Sequence, residues 1–227
     1  MFKKLLKLSI VFLVVISVSN AQDLKNKGIS ITYLDFNEDK KQTVIKRVHN
    51  DECLNVKVSP NNIWSGNYAS KNIPSKCKKT FATTIGKLSP IKIDKDIETY
   101  GELEVIEFIK KAQNDENMIL IDARMLDWYL LSTIPGAINI PFKHFNSKKS
   151  PDEFEDVLDV IGVSMENGKY NFENAKTLTL FCNGAWCLQS PAAIKNLIKI
   201  GYPKEKLFWY RGGMYNWTLA GLTTITP

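Results

Sequence analysis

The sequence contains few of the residues that usually hold metal ions. Its 227 residues include four cysteines and two histidines, His49 and His144. These residues are spread along the chain without the paired spacing of a zinc finger or of a histidine-rich metal centre. We therefore expect no metal and no other cofactor, and we expect any chemistry of the protein to use sulfur.

The sequence also lacks a strong excess of one charge. It has 30 lysines and arginines against 24 aspartates and glutamates. Three of the lysines, Lys3, Lys4 and Lys7, lie in an N-terminal leader, so 27 basic residues face 24 acidic ones in the rest of the chain. This small excess gives too weak a field to bind nucleic acid, which excludes nucleic acid as a partner. With 44% hydrophobic residues, the chain has the composition of a globular protein.

The apolar run near the N-terminus is too short to span a membrane. Residues 8–18 form a run of 11 residues, whereas a spanning helix needs about 20. A basic stretch precedes the run and the small-residue site Ser19-Asn20-Ala21 follows it, so we predict a signal peptide over residues 1–21, cleaved before Gln22. A retained anchor is the alternative. The lysine-rich leader is typical of bacterial export, which predicts a periplasmic protein, free of the membrane after cleavage, in an oxidising compartment.

The chain is expected to divide near residue 86. Residues 22–85 carry 11 basic and 6 acidic residues, whereas residues 86–227 carry 16 basic and 18 acidic residues. Residues 29–33 and 43–48 are strand-like and are broken by polar clusters. We therefore predict a smaller, β-rich accessory region over residues 22–85, whose basic charge would suit a protein partner, and a second domain over residues 86–227.

Strand-like and helix-like segments alternate in this second domain. Helices are predicted over residues 102–112, 154–161 and 213–219, and a further helix over residues 190–201 with Ser190 as its N-cap. Short apolar runs predict strands over residues 118–121, 137–140, 177–181 and 207–210. The alternation predicts an α/β fold with a central parallel sheet flanked by helices. Ligands of such sheets bind beyond the carboxyl ends of the strands.

Cys182 lies at such a strand end. The predicted strand 177–181 runs directly into Cys182, and residues 183–189 lead to the N-terminus of the next helix. Unpaired backbone N–H groups and the helix dipole favour a thiolate at this position. Gly184 and Ala185 suit a tight curl whose N–H groups point inward and bind anions. We therefore predict a reactive, ionised thiol at Cys182.

Several ordered motifs resemble those of the rhodanese (sulfurtransferase) family. They cover most of residues 101–222 and do not extend into residues 22–85. The motifs are Ile121-Asp122-Ala123-Arg124, then Ile134-Pro135-Gly136-Ala137-Ile138-Asn139-Ile140-Pro141, then Phe181-Cys182 with its loop and Ser190-Pro191-Ala192-Ala193, then Gly201-Tyr202-Pro203, and finally Arg211-Gly212-Gly213-Met214 with Trp217.

The resemblance implies a rhodanese-like α/β fold and a sulfurtransferase that carries a sulfane sulfur as a persulfide on Cys182. The sulfur would come from thiosulfate or a polysulfide and would pass to a thiol or similar acceptor. Asp122, Arg124, Gly212 and Gly213 would support the site, and a buried ion pair alone is the alternative for Arg124. Backbone N–H groups of the active-site loop would stabilise the anionic sulfur. That loop consists of Asn183, Gly184, Ala185, Trp186, Cys187, Leu188 and Gln189.

The loop departs from the family pattern. The usual loop has six residues counting the cysteine and often ends in arginine, whereas residues 182–189 make eight residues without arginine or lysine. Anion binding would then use the backbone and the helix dipole alone. The phosphatases that share this fold place an arginine six residues after the cysteine, where this chain has Leu188, so the sequence disfavours a phosphatase.

Three further cysteines remain after Cys182. Cys187 is a candidate to resolve a persulfide by forming a disulfide with Cys182, or to form a redox couple with it, and an inert wall residue is the alternative. We predict a disulfide between Cys53 and Cys77, which would close a loop of about 25 residues and add about 3 kcal/mol of stability. Two unpaired surface thiols are the alternative for Cys53 and Cys77.

Three functions stay open from the sequence. The first is a periplasmic sulfurtransferase that uses Cys182. The second is a thiol–disulfide enzyme that uses Cys182 and Cys187 together. The third is a rhodanese-like module that binds a partner without catalysis.

Overall fold

The computed structural model describes residues 28–46 and 89–227. The predicted signal peptide, most of the predicted accessory region and both Cys53 and Cys77 lie outside these described residues. The predicted leader, disulfide and division near residue 86 therefore stay predictions. Within the two described ranges, no helix combines the length and the apolar character that a membrane crossing requires.

Five parallel strands form the central sheet. In spatial order they are β3 (Glu98–Tyr100), β9 (Leu207–Tyr210), β8 (Thr177–Phe181), β4 (Met118–Asp122) and β5 (Ala137–Asn139). Asp122 pairs with Phe181, and Phe181 pairs with Tyr210, so the carboxyl ends of the three central strands lie side by side. The predicted parallel sheet is confirmed.

Helices cover both faces of this sheet. The part of the chain that the structure describes contains α1 (Glu102–Ala112), α2 (Leu126–Leu131), α3 (Pro151–Val160), α4 (Gln189–Ile200) and α5 (Gly213–Leu219). Short 3₁₀ turns span Phe142–Phe145 and Lys204–Lys206. Acidic residues begin α1 and lysines end it, which complements the helix dipole. The predicted α/β fold is thereby confirmed.

Alternate residues of each strand point to opposite faces and supply two hydrophobic cores. On one face, Leu178 and Leu180 of β8 pack with α3 and α4. On the other face, Phe181 and Tyr210 pack with α1 and α5. Helices α4 and α5 therefore lie on opposite faces of the sheet at β8, and both approach the carboxyl end of this strand.

A β-hairpin completes the core on the α1 side. β1 (Ile29–Leu34) pairs antiparallel with β2 (Lys40–Ile45), and Ile31 and Ile45 are buried in the same cluster as α1. The Thr223 hydroxyl donates to the Val44 carbonyl at 2.8 Å, which fastens the hairpin to the C-terminal segment. The hairpin therefore shares the hydrophobic core of the sheet.

Some elements differ from the sequence predictions. α4 begins at Gln189, with Leu188 in the N-cap position, whereas we predicted Ser190 as the N-cap. Pro191 does not determine where α4 begins, because proline, which lacks an N–H, is tolerated throughout the first helical turn. β2 begins at Lys40, three residues earlier than predicted. The short elements α2 and β3 were missed, as was a surface hairpin of β6 (Ser164–Glu166) and β7 (Lys169–Asn171).

Candidate active site

Cys182 directly follows β8 at the carboxyl edge of the sheet. The Ala123 N–H donates to the Phe181 carbonyl at 2.9 Å, so the pairing of β4 with β8 continues to this edge. Residues 182–188 connect β8 to α4, where the sequence predicted the loop. We call residues 182–189 the thiol loop, because they contain both Cys182 and Cys187.

The N-terminus of α5 holds the start of the thiol loop. The Met214 N–H donates to the Cys182 carbonyl at 3.0 Å, and the Tyr215 N–H donates to the Asn183 carbonyl at 2.9 Å. Gly213 has φ +55°, and a Cβ at this position would lie 2.2 Å from the Cys182 carbonyl oxygen. Only glycine therefore permits this contact, and Gly212 precedes it as the N-cap of α5.

An aromatic pair covers the middle of the thiol loop. The rings of Trp186 and Tyr215 pack edge to face, with centroids 4.9 Å apart. A Cβ on Gly184 would lie 2.6 Å from the Trp186 ring, so glycine is required where the indole folds back over the loop. Trp186 thus forms a wall of the site.

A second segment fastens the outside of the thiol loop. The Ser89 N–H donates to the Ala185 carbonyl at 2.7 Å. The Arg211 guanidinium in turn donates to the Ser89 carbonyl, from Nη2 at 2.8 Å and from Nε at 3.2 Å. Arg211 therefore acts on the loop through the backbone of residue 89.

The two loop cysteines lie next to each other. The Cys187 N–H donates to the Gly184 carbonyl at 2.9 Å, and this turn folds the loop back on itself. Cys182 Sγ lies 3.5 Å from the Cys187 carbonyl oxygen, so the two residues are in contact. Both are free thiols. The structure therefore brings together two thiols that are five residues apart in sequence.

Cys187 is the acidic member of the pair. The S–H group of Cys182 donates to its sulfur, and backbone N–H groups of Gln189 and Asn183 add to this effect, so the pKa of Cys187 is lowered to about 6 although burial opposes ionisation. Cys187 immediately precedes the N-terminal turn of α4, whose unpaired N–H groups favour negative charge. These contacts therefore favour the thiolate form of Cys187.

Cys182 is the protonated member of the pair, contrary to our expectation of a thiolate there. Burial raises the pKa of Cys182, and the negative charge of Cys187 raises it further, whereas hydrogen bonds from Ser190 act in the opposite direction. Cys182 is 2% exposed and Cys187 is 9% exposed. Ionising both of two adjacent sulfurs costs free energy because the two negative charges repel. The less buried sulfur therefore carries the charge. The catalytic role of Cys182 stays a prediction.

Ser190 is a site residue that the sequence analysis missed. Its hydroxyl donates to Cys182 Sγ at 3.1 Å, and the Trp209 indole N–H donates to that hydroxyl at 3.1 Å. Ser190 is fully buried and Trp209 is 1% exposed, so neither side chain can form a hydrogen bond to water instead. The contact depends on β9 packing against α4, and no local sequence signal reports it. A serine just after the loop was the only hint.

The remaining loop residues flank Cys187. The Cys187 thiol group lies 3.5 Å from Gln189 Oε1, and Gln189 begins α4. Leu188 is 56% exposed and forms the outer surface of the loop. The predicted loop residues therefore surround one pair of sulfurs, while their role in binding a substrate stays a prediction.

Asp122 and Arg124 form a buried ion pair beside the site. Arg124 Nε donates to Asp122 Oδ1 at 2.9 Å, the Thr133 hydroxyl donates to Asp122 Oδ2 at 2.8 Å, and Arg124 also donates to the Ser132 carbonyl. The pair holds the segment after β4 and makes no hydrogen bond to the thiol loop. The Arg124 charge adds only slightly to lowering the pKa of Cys187.

The family comparison agrees with this architecture. The rhodanese-like domain family matches residues 106–220, just over half of the chain. The chain therefore belongs to the rhodanese-like domain family, as the sequence motifs indicated. None of the curated proteins matches the chain significantly.

Several solved structures are similar to part of the chain. A protein of Bacillus halodurans is 20% identical over 56% of this chain and 77% of its own, with a TM-score of 0.39. A protein named as a probable thiosulfate sulfurtransferase is 24% identical over 47% of this chain and 42% of its own, with a TM-score of 0.33. A rhodanese-like domain from Anabaena is 16% identical over 59% of this chain and 81% of its own, with a TM-score of 0.38.

Proposed function

We propose that the protein is a sulfurtransferase that accepts a sulfane sulfur on the thiol loop. The observation that carries the proposal is the pair of adjacent thiols Cys182 and Cys187 at the carboxyl edge of the sheet, where hydrogen bonds lower the pKa of Cys187. A thiolate is the form of cysteine that attacks a sulfane sulfur. Membership of the rhodanese-like family supports the same chemistry.

We assign the first attack to Cys187. The family resemblance suggested a persulfide on Cys182, but Cys187 has the lowered pKa and the greater exposure of the two. Cys182 contributes the S–H group that stabilises the Cys187 thiolate. Both cysteines therefore belong to the proposed reaction, one as the nucleophile and one as the hydrogen-bond donor.

The proposed first step transfers one sulfur atom from the donor to Cys187. The Cys187 thiolate attacks the outer sulfur of thiosulfate, which forms Cys187–S–S⁻ and releases sulfite. Attack on a polysulfide releases a polysulfide shorter by one sulfur. The N–H groups of Asn183 and Gln189, which favour the thiolate, would also favour the persulfide anion. Because the thiol loop has no lysine or arginine, we expect the doubly charged thiosulfate to be the poorer donor.

Intact-mass spectrometry of single-cysteine variants tests this function. Reduced Cys182→Ser and Cys187→Ser proteins are incubated without oxygen with inorganic polysulfide or thiosulfate and are then desalted. The Cys182→Ser protein is expected to gain one sulfur atom, because a serine hydroxyl still donates to Cys187. The Cys187→Ser protein is expected to gain none.

The opposite results would change the assignment. Uptake by Cys187→Ser but not by Cys182→Ser would return the nucleophile to Cys182. The absence of uptake by either variant and by the unaltered protein, with both donors, would reject the sulfurtransferase and favour a rhodanese-like module that binds a partner.

We also propose that the protein is exported to the periplasm, on the evidence of the leader over residues 1–21. Its oxidising conditions would suit a Cys53–Cys77 disulfide, and the basic charge of residues 22–85 would suit a protein partner. An intact-mass spectrum of protein from its native compartment tests two of these statements. It should show a chain that begins at Gln22 and lacks the two hydrogens of one disulfide, and a mass that includes residues 1–21 would reject cleavage.

A further inference from the structure

The two cysteines of the thiol loop lie next to each other in the fold. Cys182 Sγ is 3.5 Å from the Cys187 carbonyl oxygen, and both cysteines lie in a loop segment outside any helix or strand. Formation of a disulfide requires the sulfurs to approach to about 2.05 Å. The turn closed by the Cys187 N–H and the Gly184 carbonyl folds the loop back so that the two cysteines are in contact before any reaction.

We propose that Cys182 resolves the persulfide on Cys187 by forming a Cys182–Cys187 disulfide, so that the protein releases its sulfur as hydrogen sulfide. This inference rests on the proposed function, which loads the sulfur onto Cys187. The thiol loop then reduces sulfane sulfur as well as accepting it.

The step balances without a further reagent. Cys182 Sγ attacks Cys187 Sγ, the bond between Cys187 Sγ and the outer sulfur breaks, and the outer sulfur leaves with that electron pair. It takes the proton of the Cys182 thiol and departs as HS⁻. The two cysteine sulfurs are oxidised to a disulfide while the sulfane sulfur is reduced to sulfide. A small thiol or dithiol then returns the loop to its reduced form.

The surroundings of Cys182 favour its role as the attacking sulfur. As it loses its proton, negative charge develops on Sγ, toward which the Ser190 hydroxyl already donates at 3.1 Å. The Trp209 indole N–H holds that hydroxyl, so the donor is oriented before the reaction. Cys182 is also buried against Cys187, which leaves its neighbour as the nearest electrophile.

The outer sulfur of the Cys187 persulfide, in contrast, has no cationic side chain in the thiol loop to hold it. The thiol loop offers backbone N–H groups but no lysine or arginine side chain. A cationic side chain would pair with a terminal persulfide anion and keep it in place. Arg124 is committed to Asp122 and to the Ser132 carbonyl, and Arg211 is committed to the backbone of residues 89 and 90. Release of the outer sulfur therefore breaks no side-chain ion pair.

A single-turnover experiment tests the inference. Reduced, desalted full-length protein is mixed without oxygen with excess inorganic polysulfide, and both the released sulfide and the intact mass are measured. We expect the unaltered protein to release one sulfide per chain above the level given by Cys187→Ser, and to lose the mass of two hydrogens while retaining no extra sulfur. Dithiothreitol should restore its thiols. The Cys182→Ser protein should retain one extra sulfur and release sulfide only after dithiothreitol is added.

Each contrary outcome has a separate meaning. If the unaltered protein retains the extra sulfur as long as Cys182→Ser does, and releases no sulfide, the resolving role of Cys182 is wrong while the sulfurtransferase function stands. If Cys182→Ser takes up no sulfur, the assignment of the persulfide to Cys187 fails, and the inference that depends on it is rejected. If the disulfide forms equally fast when a small organic disulfide, which takes up the two electrons, replaces the polysulfide, the pair is a general redox couple, and the inference is rejected.

Discussion

The hydroxyl of Ser190 donates a hydrogen bond to the sulfur of Cys182 across 3.1 Å. A buried serine between a sulfur and an indole has no solvent to exchange with, so its proton direction is set by its neighbours. Because the Trp209 N–H occupies an acceptor position of the oxygen, the hydroxyl proton is directed at Cys182. The donors Trp209 and Ser190 thus form one chain that ends at Cys182 Sγ.

Alkylation of Cys187 should report its acidity directly. The rate of reaction with iodoacetamide is expected to rise with pH and to reach half its maximum near pH 6, because only the thiolate reacts and its pKa is about 6. In Cys182→Ala the strongest donor to Cys187 is absent, so the midpoint should move up toward the ordinary value of about 8.5. Cys182→Ser, which keeps a hydroxyl donor, should move it less. Equal midpoints in all three proteins would show that Cys182 does not stabilise the thiolate.

Ser190→Ala should slow the release of sulfide about tenfold or more while leaving the uptake of sulfur by Cys187 intact. A hydrogen bond to a developing charge is worth about 1.5–3 kcal/mol, which corresponds to at least this factor. The measurement is single-turnover sulfide release, with uptake scored in parallel on the double variant Cys182→Ser/Ser190→Ala. Trp209→Phe, which removes only the indole donor, should slow release less. A rate unchanged by Ser190→Ala would mean that the hydroxyl has no role in the attack by Cys182.

Gly213→Ala should destabilise the protein more than a left-handed backbone alone explains. An alanine at φ +55° costs about 1–2 kcal/mol, and its Cβ would in addition lie 2.2 Å from the Cys182 carbonyl oxygen. Gly168→Ala is the matched control, since φ is +74° there and no atom lies within 4 Å of the added Cβ. Urea unfolding of both variants measures the difference. Equal losses of stability would show that the loop yields to the added methyl group without cost.

Asp122→Asn should lower the free energy of unfolding by about 3–5 kcal/mol, because it leaves the buried Arg124 without its carboxylate partner. Glu107→Gln, which removes a partner from the exposed pair with Lys110, should leave stability unchanged within error. Denaturant titration at pH 7 compares the two variants. A small effect of Asp122→Asn would mean that Arg124 finds other partners, such as the Thr133 hydroxyl and the nearby carbonyls.

The sequence predicts the sheet well, because four of its five strands are short apolar runs. The prediction for β8 matches the structure at both ends, and so does the prediction for α1. β3 was missed because its three residues, Glu98–Tyr100, contain no buried apolar run. Its position is set by pairing with β9, a partner more than one hundred residues away. Such an element is recognised only after the sheet is assembled.

The site was predicted in its location but not in its charge. A cysteine between β8 and α4 follows from the strand pattern and the rhodanese motifs. Which sulfur ionises depends instead on unequal burial and on the hydrogen bond between Cys182 and Cys187, and both depend on how the loop folds back. The role of Ser190 is likewise tertiary, since its second partner, Trp209, lies 19 residues further along the chain. Local propensity contains no information about either contact.

The hydrogen bonds from α5 to the carbonyls of Cys182 and Asn183 form only after α5 has been synthesised. A nascent chain that has emerged only as far as residue 200 possesses both cysteines but not the amides of Met214 and Tyr215 that shape the loop around them. The unfinished chain therefore lacks the backbone contacts that hold the start of the thiol loop. The loop reaches its folded form only after α5 has been synthesised and has packed against the sheet.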